Sequence, residues 1–258
     1  MNAPAMPSLF VSHGAPNMVL EDGPARRFLS DLGNRLRRPE AILVVSAHWL
    51  TGVPTIGTAP IPETIHDFHG FPSALYEVQY PAPGAPELAA RAEHLISAAG
   101  IPVAQDAQRG LDHGAWAPLM LMYPEADIPV AQLSVQPRKD PRAHFAIGRA
   151  LAPLRQEGVL LLASGSAVHN LHMLGRPDAA PPAWANDFDA WLARNIRSHN
   201  TDALLGYRSQ APNAATAHPT DEHLLPLFVA LGAGDEQGQV LHQSFTYGSL
   251  SMAAYAFE

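Results

Sequence analysis

The stretch Ala41-Ile42-Leu43-Val44-Val45-Ser46-Ala47-His48-Trp49 decides the fold. An unbroken aliphatic run after Pro39, with no polar alternation, reads as a strand covered on both faces, the pattern of a strand inside a parallel sheet. The run stops at Ser46, which places His48 at the strand's carboxyl edge. In open α/β sheets that edge collects ligands, because loops and helix starts converge there above rigidly paired strands.

Residues 7–12 repeat the design: an apolar run, a serine, then His13-Gly14-Ala15-Pro16, where glycine and proline force a turn. Between the two strands, residues 24–36 carry Phe28, Leu32 and Leu36 on one helical stripe. Strand, helix and strand make a βαβ unit, so the strands are expected to be parallel, with His13 and His48 at one end of the sheet. A third buried strand over 158–163 breaks at Ser164-Gly165-Ser166 and delivers His169-Asn170. Further on, Thr220 reads as the N-cap of a helix over 224–231, which puts His223 in its first turn. Four histidines are thus expected to converge at one edge without any lying deep in the core. The remaining elements are helices over 86–99, 115–123 (Asp112 near its cap), 141–155 and 182–197, and strands over 128–135 and 239–246. Residues 55–86, rich in proline, glycine and aromatics, are too long and irregular for an ordinary connection and read as a lid or pocket wall.

Composition bounds the rest. With 258 residues, 47% of them hydrophobic, and no internal repeat or seam, the chain can bury one large core, and a single domain over 1–258 is expected. A net charge of −8 supplies none of the basic surface that nucleic acid requires. The absence of cysteine excludes disulfides, thiolate metal sites, iron–sulfur clusters and a cysteine nucleophile. Residues 1–8 have neither a basic start nor an apolar run of leader type, and no segment reaches membrane-spanning length. No membrane partner and a cytoplasmic location are therefore expected. A Gly-x-Ser-x-Gly elbow and a zinc-protease helix motif are missing, and Gly232-Ala233-Gly234 lacks the third glycine of a dinucleotide loop.

The histidines carry the chemistry. Imidazole suits zinc, copper, iron and nickel, and two or three histidines with an open coordination position describe a catalytic metal site. His13, His48, His169 and His223 have the placement for it. His66, His69, His94, His144, His172, His199, His218 and His242 lack it, His66 standing closest to function because of the loop it occupies.

Seven segments, in order and nearly end to end, resemble the DOPA-dioxygenase-like branch of the class III extradiol ring-cleaving dioxygenases. They are Ser12-His13-Gly14-Ala15-Pro16, Ser46-Ala47-His48-Trp49, Thr64-Ile65-His66-Asp67-Phe68 with Gly70-Phe71-Pro72, Tyr80-Pro81-Ala82-Pro83-Gly84, Asp112-His113-Gly114-Ala115-Trp116, Val168-His169-Asn170-Leu171 and Glu222-His223-Leu224-Leu225-Pro226. The resemblance implies a single α/β domain with a mixed central sheet flanked by helices, and a non-haem metal at the carboxyl ends of the strands: Fe(II) for activity, with Zn(II) an occupant in isolated protein. It implies His13, His48 and His223 as ligands, His169 as the acid/base group or a fourth ligand, and His113 as a catalytic group facing substrate. Many extradiol enzymes complete the site with a carboxylate, so Glu222, beside His223, is the competing ligand; its other reading is an acid favoured by the helix dipole.

The implied reaction inserts O2 into a catechol such as DOPA or a related aromatic diol and yields a semialdehyde, with His66, Phe71 and Tyr247 on the substrate side, helped by Phe68 and Tyr76. His69 replaces a smaller residue of related sequences and is expected to reshape the pocket mouth. The partners are then the small diol and O2, for a monomer or small homo-oligomer. Two other readings are a zinc-dependent hydrolase and a non-catalytic metal-binding superfamily member that acts through protein contacts.

Overall fold

In the computed structural model, which describes residues 4–234 and 238–258, the strand that begins at Ala41 runs beyond its aliphatic core to Leu50. In chain order the strands are β1 (Ser8–Ser12), β2 (Ala41–Leu50), β3 (Thr55–Gly57), β4 (Ala104–Asp106), β5 (Val130–Val135), β6 (Val159–Gly165), β7 (Gly238–His242), β8 (Phe245–Thr246), β9 (Leu250–Ser251) and β10 (Ala254–Phe257). Eight of them form one mixed sheet in the order β4-β3-β5-β2-β6-β1-β10-β7, and β8 and β9 form a small separate pair. β2 sits between β5 and β6 and is parallel to both. The first two strands are parallel, as the βαβ unit requires, but they are not neighbours: β6 lies between them and pairs with each.

The double burial expected of β2 is resolved residue by residue. Leu43 and Val45 enter one apolar cluster, with Leu161 and Ala163 of β6. Ile42 and Val44 enter the other, with Leu160 and Leu162. The period-2 alternation of a strand thus feeds two cores. Four helices, α1 (Pro24–Arg35), α2 (Pro86–Ala98), α3 (His113–Met122) and α4 (Pro141–Leu151), divide between them. Leu29 and Leu32 of α1 and Trp116 and Leu119 of α3 pack on the second face. Helix α2, helix α4 and the helices Ala183–Arg197 and Leu225–Ala233 cover the first.

Several boundaries differ from expectation for identifiable reasons. The helix expected over 141–155 is broken: α4 ends at Leu151 and a short turn begins at Pro153, which has no N–H to continue the ladder. The strand expected over 239–246 divides into β7, which pairs with β10, and β8, which pairs with β9. His223 precedes its helix and does not open it. The amides of Leu224 and Leu225 bond to the Asp221 carbonyl, the Thr220 hydroxyl donates to Glu222 at 2.9 Å and caps no backbone, and the helix starts at Leu225 with Pro226 in its first turn. The long segment after β3 is pinned by a short helical turn, Ser73–Glu77, and by isolated bridges from Thr64 to Leu111 and Gly84 to Val130. Residues 1–3 of the amino-terminal stretch lie outside the described residues. Among the described residues no helix is long and apolar enough to cross a membrane.

Candidate metal centre

The site is made by the carboxyl ends of three parallel strands. Against β5, the register of β2 jumps from Val45 opposite Leu133 to Leu50 opposite Val135, so residues 46–49 bulge out of the ladder. A bulge bends a strand and re-aims its side chains. Here it carries His48, still inside β2, to the sheet edge. His13 follows β1 directly and its amide bonds to the Gly165 carbonyl at the end of β6, 3.0 Å away. The His223 carbonyl takes the Ser166 amide at 2.9 Å, which fixes the third histidine to the same strand end. Gly165 is required there, because a Cβ would collide with that carbonyl.

Three imidazoles meet. His48 Nε2 lies 3.0 Å from His13 Nε2 and 3.3 Å from His223 Nε2. Nitrogens bound to one ion at about 2.1 Å stand roughly 3.0 to 3.4 Å apart in octahedral or tetrahedral arrangements. The other nitrogen is hydrogen-bonded in two of the rings and faces a carboxylate in the third. His13 Nδ1 donates to Ser164 Oγ at 2.9 Å, since that hydroxyl's own proton goes to the Gly114 carbonyl. His223 Nδ1 lies 3.1 Å from Glu222 Oε1, and His48 Nδ1 lies 3.5 Å from Asp67 Oδ2. Acceptors on Nδ1 put the proton there and leave the Nε2 lone pair free for a cation. Burial first, and the neighbouring imidazoles after it, hold His13, His48 and His223 below the ordinary histidine value, so all three are neutral donors at pH 7. The donor set fits a divalent metal with open positions. Contrary to expectation, this cluster is not shallow: His13 is 2% exposed and His223 6%.

Two other groups crowd the triad. His113, first residue of α3, offers a ligand atom within 4.8 Å of those of His13 and His48. Its own Nδ1 is bound to Asp67 Oδ1 at 2.9 Å, which leaves Nε2 as the free nitrogen. His169 lies flat on His223, ring centroids 3.5 Å apart and planes 9° apart. His169 thus stands directly beside the other three histidines. His169, Glu222 and His223 also bring ligand atoms within 4.8 Å of one another. The Glu222 carboxylate there is bound by His223 Nδ1 and the Thr220 hydroxyl.

A cavity of about 420 Å³ opens over these rings, and Phe68, Phe71 and Tyr247 are among its walls. His66 does not line it: Nε2 donates to the Val78 carbonyl at 3.0 Å and the ring packs edge-on against Phe68 and Trp116. Tyr76 packs on Phe68 from outside the cavity, and exposed His69 is not among the lining residues either. Two acids hold the site: Asp67, which sequence reasoning left without a role, and Asp112, which caps α3 as expected and does more besides. Asp67 serves His113 and His48 together. Asp112, fully buried, accepts from Ser46 Oγ at 2.6 Å, from Arg109 at 2.6 Å, from Gln132 and from the Ala115 amide, and so ties β2 and β5 to the start of α3. The serine before each strand-end histidine was the legible signal: Ser46 anchors Asp112, and Ser164 anchors His13.

Comparison with known proteins gives the same assignment throughout the chain. Residues 6–258 match the family model described as the catalytic LigB subunit of aromatic ring-opening dioxygenase. A Beta vulgaris protein named 4,5-DOPA dioxygenase extradiol is 46% identical over 97% of this chain and 96% of its own length. An Escherichia coli K12 protein of the same name is 44% identical over 98% and 94%. The crystal structure of an uncharacterized Escherichia coli K12 protein superposes with a TM-score of 0.85 at 39% identity, covering 98% of this chain and all of that one. On fold, histidine cluster and relatives together, the chain belongs to the LigB family of aromatic ring-opening dioxygenases.

Proposed function

We propose that this protein is an extradiol dioxygenase that opens the ring of a catechol, DOPA or a related aromatic diol, next to its two hydroxyls. The carbon–carbon bond beside the diol breaks, both atoms of O2 enter the product, and a semialdehyde forms. The observation that carries this reading is the gathering of three neutral imidazoles, with the Nε2 atoms of His13 and His223 each beside that of His48 and each Nδ1 hydrogen-bonded or facing a carboxylate, in the wall of a cavity large enough for an aromatic ring. His13, His48 and His223 would hold a divalent ion, Fe(II) in the active enzyme. Bound there, iron supplies a Lewis acid and a redox centre that lets an electron-rich diol react with triplet O2.

The chain's own residues do the rest. His169 lines the cavity, and neither of its ring nitrogens has a hydrogen bond among the described residues. Burial, with smaller opposed contributions from Glu222 and His113, lowers its pKa to about 4, so it is a neutral base at pH 7, free to take a phenolic proton and later return one. His113 presents Nε2 to the same cavity with its orientation fixed by Asp67, suited to a second hydrogen bond to the diol. Phe68 and Phe71 give the ring apolar walls, which also exclude water from the reacting atoms.

The test is anaerobic reconstitution with Fe(II), followed by a catechol panel and air. The expected result is oxygen uptake together with a yellow ring-fission product. No product from any catechol at full iron occupancy would overturn the reading, and activity with Zn(II) but not Fe(II) would replace it with hydrolysis.

A further inference from the structure

The cavity also constrains what the catechol carries, an inference that rests on the ring-opening reading above. Roughly 150 Å³ is enough to hold benzene, so a cavity of about 420 Å³ leaves more than half its space for a substituent. Beside its histidines the cavity is walled mainly by apolar side chains, among them Pro16, Phe68, Phe71, Leu171, Leu174 and Leu250. Among the described residues no aspartate, glutamate, lysine or arginine lines it. The nearby carboxylates, Asp67 and Glu222, are committed to His113, His48 and His223. The hydroxyl of Ser166 donates to backbone carbonyls, and that of Tyr247 accepts from Asn17 Nδ2 at 3.1 Å. At the mouth, Leu171 and Leu174 remain 57% and 43% exposed, so the rim itself is apolar. An ammonium and a carboxylate brought against these walls would give up water and find no counter-charge.

We infer that the substituent is neutral and apolar: the preferred substrates are alkyl- or aryl-catechols, and catechols bearing a zwitterionic amino-acid tail are the poorer ones. An unused cation does lie nearby. Arg26, whose Nε has no hydrogen-bond partner among the described residues, lines an adjoining cavity of about 290 Å³ that shares Gly14, Ala15 and Tyr247 with the first.

Binding measured without oxygen on the Zn(II)-loaded full chain tests this independently of turnover. Titration calorimetry with 4-propylcatechol, 3-(3,4-dihydroxyphenyl)propionate and L-DOPA is expected to rank them in that order, with at least a tenfold gap between first and last. Leu174→Arg, on the exposed rim, is expected to raise the affinity of the propionate relative to propylcatechol at least threefold. DOPA binding as tightly as propylcatechol, or no binding of propylcatechol, overturns the inference. If that DOPA affinity then falls with Arg26→Ala, the tail belongs in the adjoining cavity. A correct ranking in protein that opens no ring when loaded with Fe(II) would leave this preference standing and fault the dioxygenase reading alone.

Discussion

Asp67 grips His113 with a single atom: its Oδ1 accepts both the backbone N–H and the Nδ1–H of His113, each at 2.9 Å. Its other oxygen lies 3.5 Å from His48 Nδ1. One carboxylate thus orients a cavity-facing imidazole and a member of the triad. Burial alone would raise this acid, but the hydrogen bonds and charge of His113, with His48 behind them, bring it down to about 2 and keep it ionised. Asp67→Asn preserves the shape while turning one acceptor into an N–H donor. Metal affinity is expected to fall 10- to 100-fold, with kcat reduced more than KM is raised. Chelator-competition titration and steady-state rates on the same preparation measure both, and unchanged affinity would remove Asp67 from the orienting role.

Ser164 makes a parallel case on the opposite side of the triad. Its hydroxyl is the acceptor that holds the proton of His13 on Nδ1, and it is buried. Ser164→Ala leaves a buried N–H without a partner, a loss of about 1 to 3 kcal/mol, and frees the ring to adopt the tautomer that blocks Nε2. Metal affinity is expected to drop about tenfold, in keeping with the loss of a hydrogen bond of this size, and thermal unfolding of the metal-free protein to move to lower temperature. A variant whose affinity and stability both match the parent would show that the tautomer is set elsewhere.

The contrast between these two residues marks what the sequence discloses. Ser164 is the next-to-last residue of the buried strand β6, and the recurring order of aliphatic run, serine and histidine is local enough to read. So is the double burial of β2, because strand periodicity splits Leu43 and Val45 from Ile42 and Val44. Asp67 is different. It sits beside His66 in an irregular loop, and only tertiary packing determines that the acid meets the histidine cluster while His66 bonds to Val78. The insertion of β6 between β1 and β2, and the bulge that keeps His48 inside its strand, likewise arise from pairing partners far away in the chain. His223 was assigned to a helix on the strength of Thr220, whose hydroxyl in fact bonds a side chain.

Asp112 carries the load between the layers beneath the site. It is fully buried, and its carboxylate serves Ser46 of β2, Gln132 of β5, Arg109 and the first turn of α3. Asp112→Asn removes the charge that Arg109 faces, while that guanidinium is itself only 19% exposed. Breaking a buried pair from one side costs about 3 to 5 kcal/mol, so the urea midpoint should fall accordingly. Arg109→Met in the same background tests the cause: if the uncompensated cation is responsible, the second substitution restores part of the loss, and a further additive loss would assign the cost to packing instead.

His218 gives the acid limb of stability a residue outside the triad. It is completely buried, with Nε2 donating to the Ala167 carbonyl at 2.9 Å and Nδ1 without a partner among the described residues. Burial, only partly countered by that hydrogen bond, lowers its pKa to about 3. The unfolded chain takes up the proton near 6.5, whereas the folded chain resists until about 3. Acid therefore favours unfolding through that whole window, and above it neither state is protonated and the full stability is present. The slope is about 1.4 kcal/mol per pH unit from this residue. His218→Gln, which keeps a donor for Ala167, is expected to be the less stable protein at pH 7 and to close the gap by about 2 kcal/mol between pH 6.5 and 5. Urea unfolding of both proteins in the presence of a chelator, so that no bound metal competes with protons, provides the two curves, and curves that stay parallel across that range would mean that His218 does not titrate with unfolding.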